Sequence, residues 1–139
     1  MKRVLILLVI ILLFAACSGE ERVVEIEERF FLTQVNHIRR NADDYIGRTV
    51  RYEGMFQTFH WPSGDFFMVL RNTRGCCGDD GIVGFEVYLD DIRLFPPENA
   101  WVEVVGVLEW YEVDEQQIIR VAVHSLTELD EPGQTVVLQ

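Results

Sequence analysis

Residues 49–58 read TVRYEGMFQT, and their period decides the fold. Val50, Tyr52, Gly54, Phe56 and Thr58 fall on one face of an extended chain, with Arg51, Glu53 and Gln57 on the other. Alternation with a period of two is the mark of a half-buried strand. A glycine in its middle marks a bend or a close approach of another backbone. Working toward the C-terminus, HWPSGD (60–65) supplies turn residues, and FFMVLR (66–71) is an apolar run of strand length. Val83, Phe85, Val87 and Leu89 then alternate, and DIRLFPPENA (91–100) breaks the pattern. Val102, Val104, Gly106 and Leu108, then Ile119, Val121 and Val123, give two more strands joined by VDEQQ (113–117). The tail from Pro132 has room for a short edge strand. A long bent first strand, a non-strand segment between the third and fourth, and a closing hairpin predict a mainly β fold. The expected architecture is a five-stranded OB-fold-like barrel over about 45–130. A β-sandwich would need more strands.

Toward the N-terminus the period lengthens. Val23, Ile26, Phe30, Phe31, Val35 and Ile38 recur at helical spacing, with Glu25, Glu27 and Glu28 early and Arg39 and Arg40 late. This predicts an N-terminal helix over 23–40, packed on one barrel end. NADDYIGRTV (41–50) reads as one helical turn closed by Gly47.

The first 21 residues, MKRVLILLVIILLFAACSGEE, have the form of an export signal. Lys2 and Arg3 precede an apolar run from Val4 to Phe14, and Ala15 and Ala16 lead to Cys17. The run is well short of the roughly 20 residues a spanning helix needs. FAAC resembles a bacterial lipobox, with Phe14 where Leu is more usual. That resemblance implies cleavage before Cys17, diacylglycerol on its thiol, and acylation with palmitate-type chains, which together anchor stably. The expected organisation is a signal peptide over 1–16, a lipidated Cys17 and tether over 17–22, and one OB-like domain over 23–139. The domain faces the extracytoplasmic side of a bacterial membrane.

Charge narrows the partners. The chain has 12 basic and 23 acidic residues, and loss of Lys2 and Arg3 with the signal leaves ten against 23. Nucleic-acid binding needs the opposite sign. With Cys17 acylated, Cys76 and Cys77 are the only other cysteines, too few for a disulfide framework.

Those two lie in RNTRGCCGDDGIVGFEV (71–87). Adjacent Cα atoms are about 3.8 Å apart, below the usual disulfide range, so a vicinal bridge is strained and labile. Metal capture is the second reading. Zinc accepts thiolate, imidazole and carboxylate, and Cys76, Cys77, Asp80 and, from the 60–65 loop, His60 supply them. The spacing is not a standard zinc signature, and the thiols converge only in a turn, which Gly75 and Gly78 favour. Two reduced thiols, one buried as a small hydrophobe, are the third reading.

Other residues weigh less. His124 is expected on the outer face of its strand, and His37 near a helix C-terminus. Trp61, Trp101 and Trp110 suit a stacking platform or ordinary packing. No EF-hand spacing appears, and Ser18, Ser63 and Ser125 lack an elbow motif, so an enzyme is not expected.

Three blocks together carry a family likeness: DDYIGRTVRYEGMF (43–56), GCCGDDGIVGFEV (75–87) and WVEVVGVLE (101–109). From about Phe30 to Pro132 the chain resembles the C-terminal extracytoplasmic domain of a family of bacterial permease-type subunits of unknown function. The double cysteine followed three positions later by Asp80 is the most specific element; Gly78 and Asp79 stand where the family has two alanines. The resemblance implies association with an integral-membrane permease, although relatives carry spanning helices that this chain replaces with a lipidated cysteine. The expected function is a membrane-anchored binding or accessory module. It captures zinc through Cys76, Cys77, Asp80 and His60. The alternatives are a thiol redox module cycling a vicinal disulfide and a plain protein-interaction scaffold.

Overall fold

A computed structural model describes residues 22–74 and 80–137. Strand β1 (Val24–Glu25) precedes helix α1 (Phe31–Arg40), followed by β2 (Thr49–Trp61), β3 (Gly64–Arg74) and β4 (Asp80–Tyr88). Strands β5 (Trp101–Val113), β6 (Gln116–Glu128) and β7 (Val136–Val137) complete the order. The sheet runs β2-β5-β6-β4-β3 and returns to β2, which closes a five-stranded barrel, with β1 and β7 as short additions. β4 and β6 pair in parallel and the other barrel pairs are antiparallel. The mainly β, OB-fold-like barrel with a helix on one end is thus the architecture observed.

The bend in β2 makes closure work. Its first half pairs with β5 and its second with β3, and Met55 is shared, opposite both Trp101 and Leu70. At the neighbouring Gly54 a Cβ would lie 2.9 Å from the Leu70 carbonyl oxygen, so the side-chain-free residue is a packing requirement. Inside, Val50, Tyr52, Phe56, Val69, Phe85, Val87, Val104, Leu108 and Val121 interdigitate.

Helix α1 seats Phe31, Val35 and Ile38 on one end of this core, with the Phe31 and Tyr52 rings 5.8 Å apart. Arg39 donates 2.5 Å to the carbonyl of Gly84, two residues before β4 begins to pair with β6. The other end is covered by Phe95, 5.1 Å from the Phe56 ring and 4.4 Å from that of Phe67.

The helix is shorter than its periodicity predicts. Instead of a helix over 23–40, Val24 and Glu25 pair in parallel with Val50 and Arg51, and Ile26 N–H donates to the Arg51 carbonyl. A ladder on the free side of β2 gives these backbone groups partners that an isolated helical turn could not better. Phe30 shows the consequence: spaced as a core residue, it is 49% exposed, while Phe31 is buried.

Candidate functional site

Cys76 and Cys77 lie outside the described residues, as does Cys17. Their flanks do not: Arg74, the last residue of β3, pairs with Asp80, the first of β4. The five intervening residues therefore join two paired strand ends. Asp80 is thereby fixed by its backbone beside the thiol-bearing segment.

His60 is not brought to this place. It sits on β2 opposite Asp65 of β3, in the hairpin at the other end of β3. Arg74 lies nine steps of extended chain beyond Asp65, about 30 Å along the strand. Its Nδ1 lies 2.8 Å from the Asp65 carboxylate, and this hydrogen bond raises the imidazole above its ordinary value. Of the four expected ligands, His60 is thus held at the opposite end of β3 from Asp80, and Cys76 and Cys77 lie outside the described residues. Among the described residues, no three His, Cys, Asp or Glu side chains converge to hold a metal.

The end of the barrel that holds the 74/80 pair also receives the N-terminal segment. Arg71, three residues before Arg74, is inward-facing and only 1% exposed. Its guanidinium donates to the carbonyls of Glu53 and Gln134 at 3.0 and 3.1 Å and to the Glu28 carboxylate at 3.1 Å. Its charge also lies 4.7 Å from the Phe31 ring centroid and 4.9 Å from that of Trp101. Burial pushes its pKa down, a direction opposed by Glu28. Glu28 in turn is held below the usual carboxylate range, first by the Gln134 N–H and then by Arg71. This clip ties the segment after β1, the strand that leads to the cysteines, and the C-terminal tail into one unit. Beside it opens a cleft of about 220 Å³ lined by Glu25, Glu27, Arg51, Glu53 and Glu103.

Sequence reading missed Arg71 because it closes the apolar run FFMVLR, where a charge looks like the exit from a strand. The signal was its parity with Phe67 and Val69, both on the core face. It also missed Arg120, sandwiched on the outer face between Tyr88 and Tyr111. His124 is exposed as expected, and it is the extra residue of a bulge between the Val105–Ser125 and Gly106–Val123 pairs. The tryptophans form no common platform: Trp101 is buried against Arg71, Trp61 lies at the β2–β3 hairpin, and Trp110 pairs with Ile119.

No curated protein is matched by the chain. A family model described as the DUF1980 C-terminal domain matches residues 15–139, nearly the whole chain and all of the barrel, including the 75–80 segment. The protein belongs to the DUF1980 C-terminal domain family.

Proposed function

We propose that this protein is a lipid-anchored extracytoplasmic binding module. It captures a soft divalent cation, zinc in the first instance, through Cys76, Cys77 and Asp80, and serves a permease in the same membrane. The observation that carries the reading is the Arg74–Asp80 pair, which pins both ends of the thiol-bearing segment. Paired strand ends make the connection short, and a short connection is what lets neighbouring thiols converge with a carboxylate.

Three further features support it. Three protein ligands leave a tetrahedral ion one open position, as suits an ion taken up and passed on rather than one locked into the fold. The Arg71 clip links the strand that leads to the cysteines with the segment that follows the tether. The acidic surface favours cations over anionic ligands. The protein acts by binding, and its metal is cargo.

The test uses the full-length chain purified in non-ionic detergent without chelator, as wild type and as Cys76→Ser/Cys77→Ser. Intact mass, thiol titre and metal content are measured together. About one equivalent of zinc, absent from the double variant, supports the reading. A mass two protons light with no thiol titre replaces it with the vicinal-disulfide redox module. Two free thiols without metal leave the interaction scaffold. Acyl mass on Cys17, lost in Cys17→Ser, tests the anchor separately.

A further inference from the structure

The outer face of the barrel carries a row of planar side chains that crosses all five strands. Val87, Leu108 and Val121 point into the core, so their neighbours Glu86, Tyr88, Glu109, Tyr111 and Arg120 point away from it. At one end of the row Phe59 of β2 and Phe66 of β3, a registered pair, stack with centroids 5.0 Å apart and planes 11° apart. At the other end Arg120 of β6 lies 4.0 Å from the ring centroid of Tyr88 on β4 and 4.6 Å from that of Tyr111 on β5.

Carboxylates frame this sandwich. Arg120 Nε donates to Glu109 at 2.7 Å, the Tyr111 hydroxyl to Glu86 at 2.5 Å, and the Tyr88 hydroxyl to Asp90 at 2.9 Å. The two halves of the row meet between Phe66 and Tyr88. The β3–β4 ladder ends at Met68 and Glu86, and these two aromatics stand two residues further along each strand. Phe66 stacks on Phe59 and Tyr88 on Arg120, and among the described residues no ring contact joins the two aromatics to each other.

We infer that the Phe66–Tyr88 junction receives an arginine side chain from a basic segment of a partner protein. The row is a ladder with one rung supplied from outside. The chain itself demonstrates the chemistry one position away, where Arg120 fills the space between two tyrosine rings. A planar, weakly hydrated guanidinium suits such a place better than the compact ammonium of lysine. Charge supplies the second argument. Asp65, Glu86, Asp90 and Glu109 surround the row, against Arg120 and the Asp65-bound His60, on a chain whose formal charge is −11. Such a field steers cations inward and rejects nucleic acid and anionic lipid. A stabilising cross-strand ladder would account for Phe59, Phe66 and Arg120. It does not account for Tyr88 being 41% exposed in the middle of the row.

The experiment titrates the full-length chain in non-ionic detergent with fluorescein-labelled hexa-arginine and hexalysine, read by anisotropy. Hexa-arginine is expected to bind about fivefold tighter than hexalysine, the size of one partly exposed cation–π contact. Tyr88→Ala should remove that preference and weaken hexa-arginine by a similar factor, while Tyr88→Phe keeps both within about twofold. Glu128→Gln, an exposed acid outside the row, controls for loss of charge alone, and circular dichroism verifies that each variant is folded. Equal affinity for the two peptides would reduce the effect to general attraction toward an acidic protein and overturn the inference. An unchanged arginine preference in folded Tyr88→Ala would overturn it as well.

Discussion

Arg71 and Glu28, 43 residues apart in sequence, meet at 3.1 Å with very different surroundings: the arginine side chain is 1% exposed and the carboxylate 51%. The asymmetry tells which partner matters. A half-exposed carboxylate gains little from an ion pair, because water already solvates it. Removing a buried guanidinium leaves the carbonyls it served without donors in a dry place.

The two substitutions should therefore differ. Arg71→Ala removes the donor to Glu53 and Gln134 and the stacking on Phe31 and Trp101, and is expected to cost about 3–5 kcal/mol. Glu28→Gln keeps a side chain that still reaches Arg71 and should cost about 1 kcal/mol or less. Denaturant midpoints with unchanged slope would measure both, and equal losses would mean that the ion pair, not the burial, holds the clip.

The same carboxylate gives a pH dependence with a definite sign. Glu28 titrates below its ordinary value of 4.5 in the folded protein, so its contribution is fully present above that pH. It is lost as pH falls through the lower folded value. The gap in melting temperature between wild type and Glu28→Gln should hence be constant from neutrality to about pH 5 and close below it. His60 has the opposite sign: its raised pKa makes its contact with Asp65 complete below 6.5 and lost as pH rises past the folded value. A Glu28→Gln gap that widens on acidification would contradict the assignment.

These residues also mark how far the sequence could be read. The strands were legible because each buries one face, so Val50, Tyr52 and Phe56, or Val83, Phe85 and Val87, repeat every second position. The start of the helix was not, because Val23 and Ile26 fit a helical stripe while β2 offered Val24 and Glu25, which lie between them, a ladder. Helical spacing records which residues avoid water and does not say which backbone partner takes them. The placement of His60 was recoverable from topology alone. Successive hairpins leave opposite ends of the strand they share, so the 60–65 turn and the Arg74–Asp80 pair lie at opposite ends of β3. The pairing of Arg71 with Glu28 had no such local trace, since it depends on closure of the barrel.

Closure itself makes a sharp prediction at Gly84. A Cβ there would lie 2.2 Å from the Val69 carbonyl oxygen and 2.7 Å from the Leu70 Cα, and backbone in a closed ladder cannot retreat. Gly84→Ala is expected to cost about 3 kcal/mol through overpacking. Gly47→Ala meets no atom within 4 Å and suffers only from its φ of +82°, a loss of about 1 kcal/mol. Thermal melts of the pair should rank them in that order, and the reverse ranking would show that β3 and β4 separate easily.

The distance between His60 and the 74/80 pair yields the last test, of the ligand set itself. If zinc is taken by Cys76, Cys77 and Asp80, His60→Ala should leave stoichiometry and affinity unchanged, because about 30 Å of strand lies between them. Asp80→Asn keeps the shape of the side chain and removes its charge, and should weaken zinc at least tenfold, the scale on which even outer supports of a metal site act. Competition with a colorimetric zinc chelator at fixed pH measures both variants against wild type. An affinity that falls in His60→Ala and holds in Asp80→Asn would require the imidazole to come from a second molecule, since within one barrel the strand holds it away.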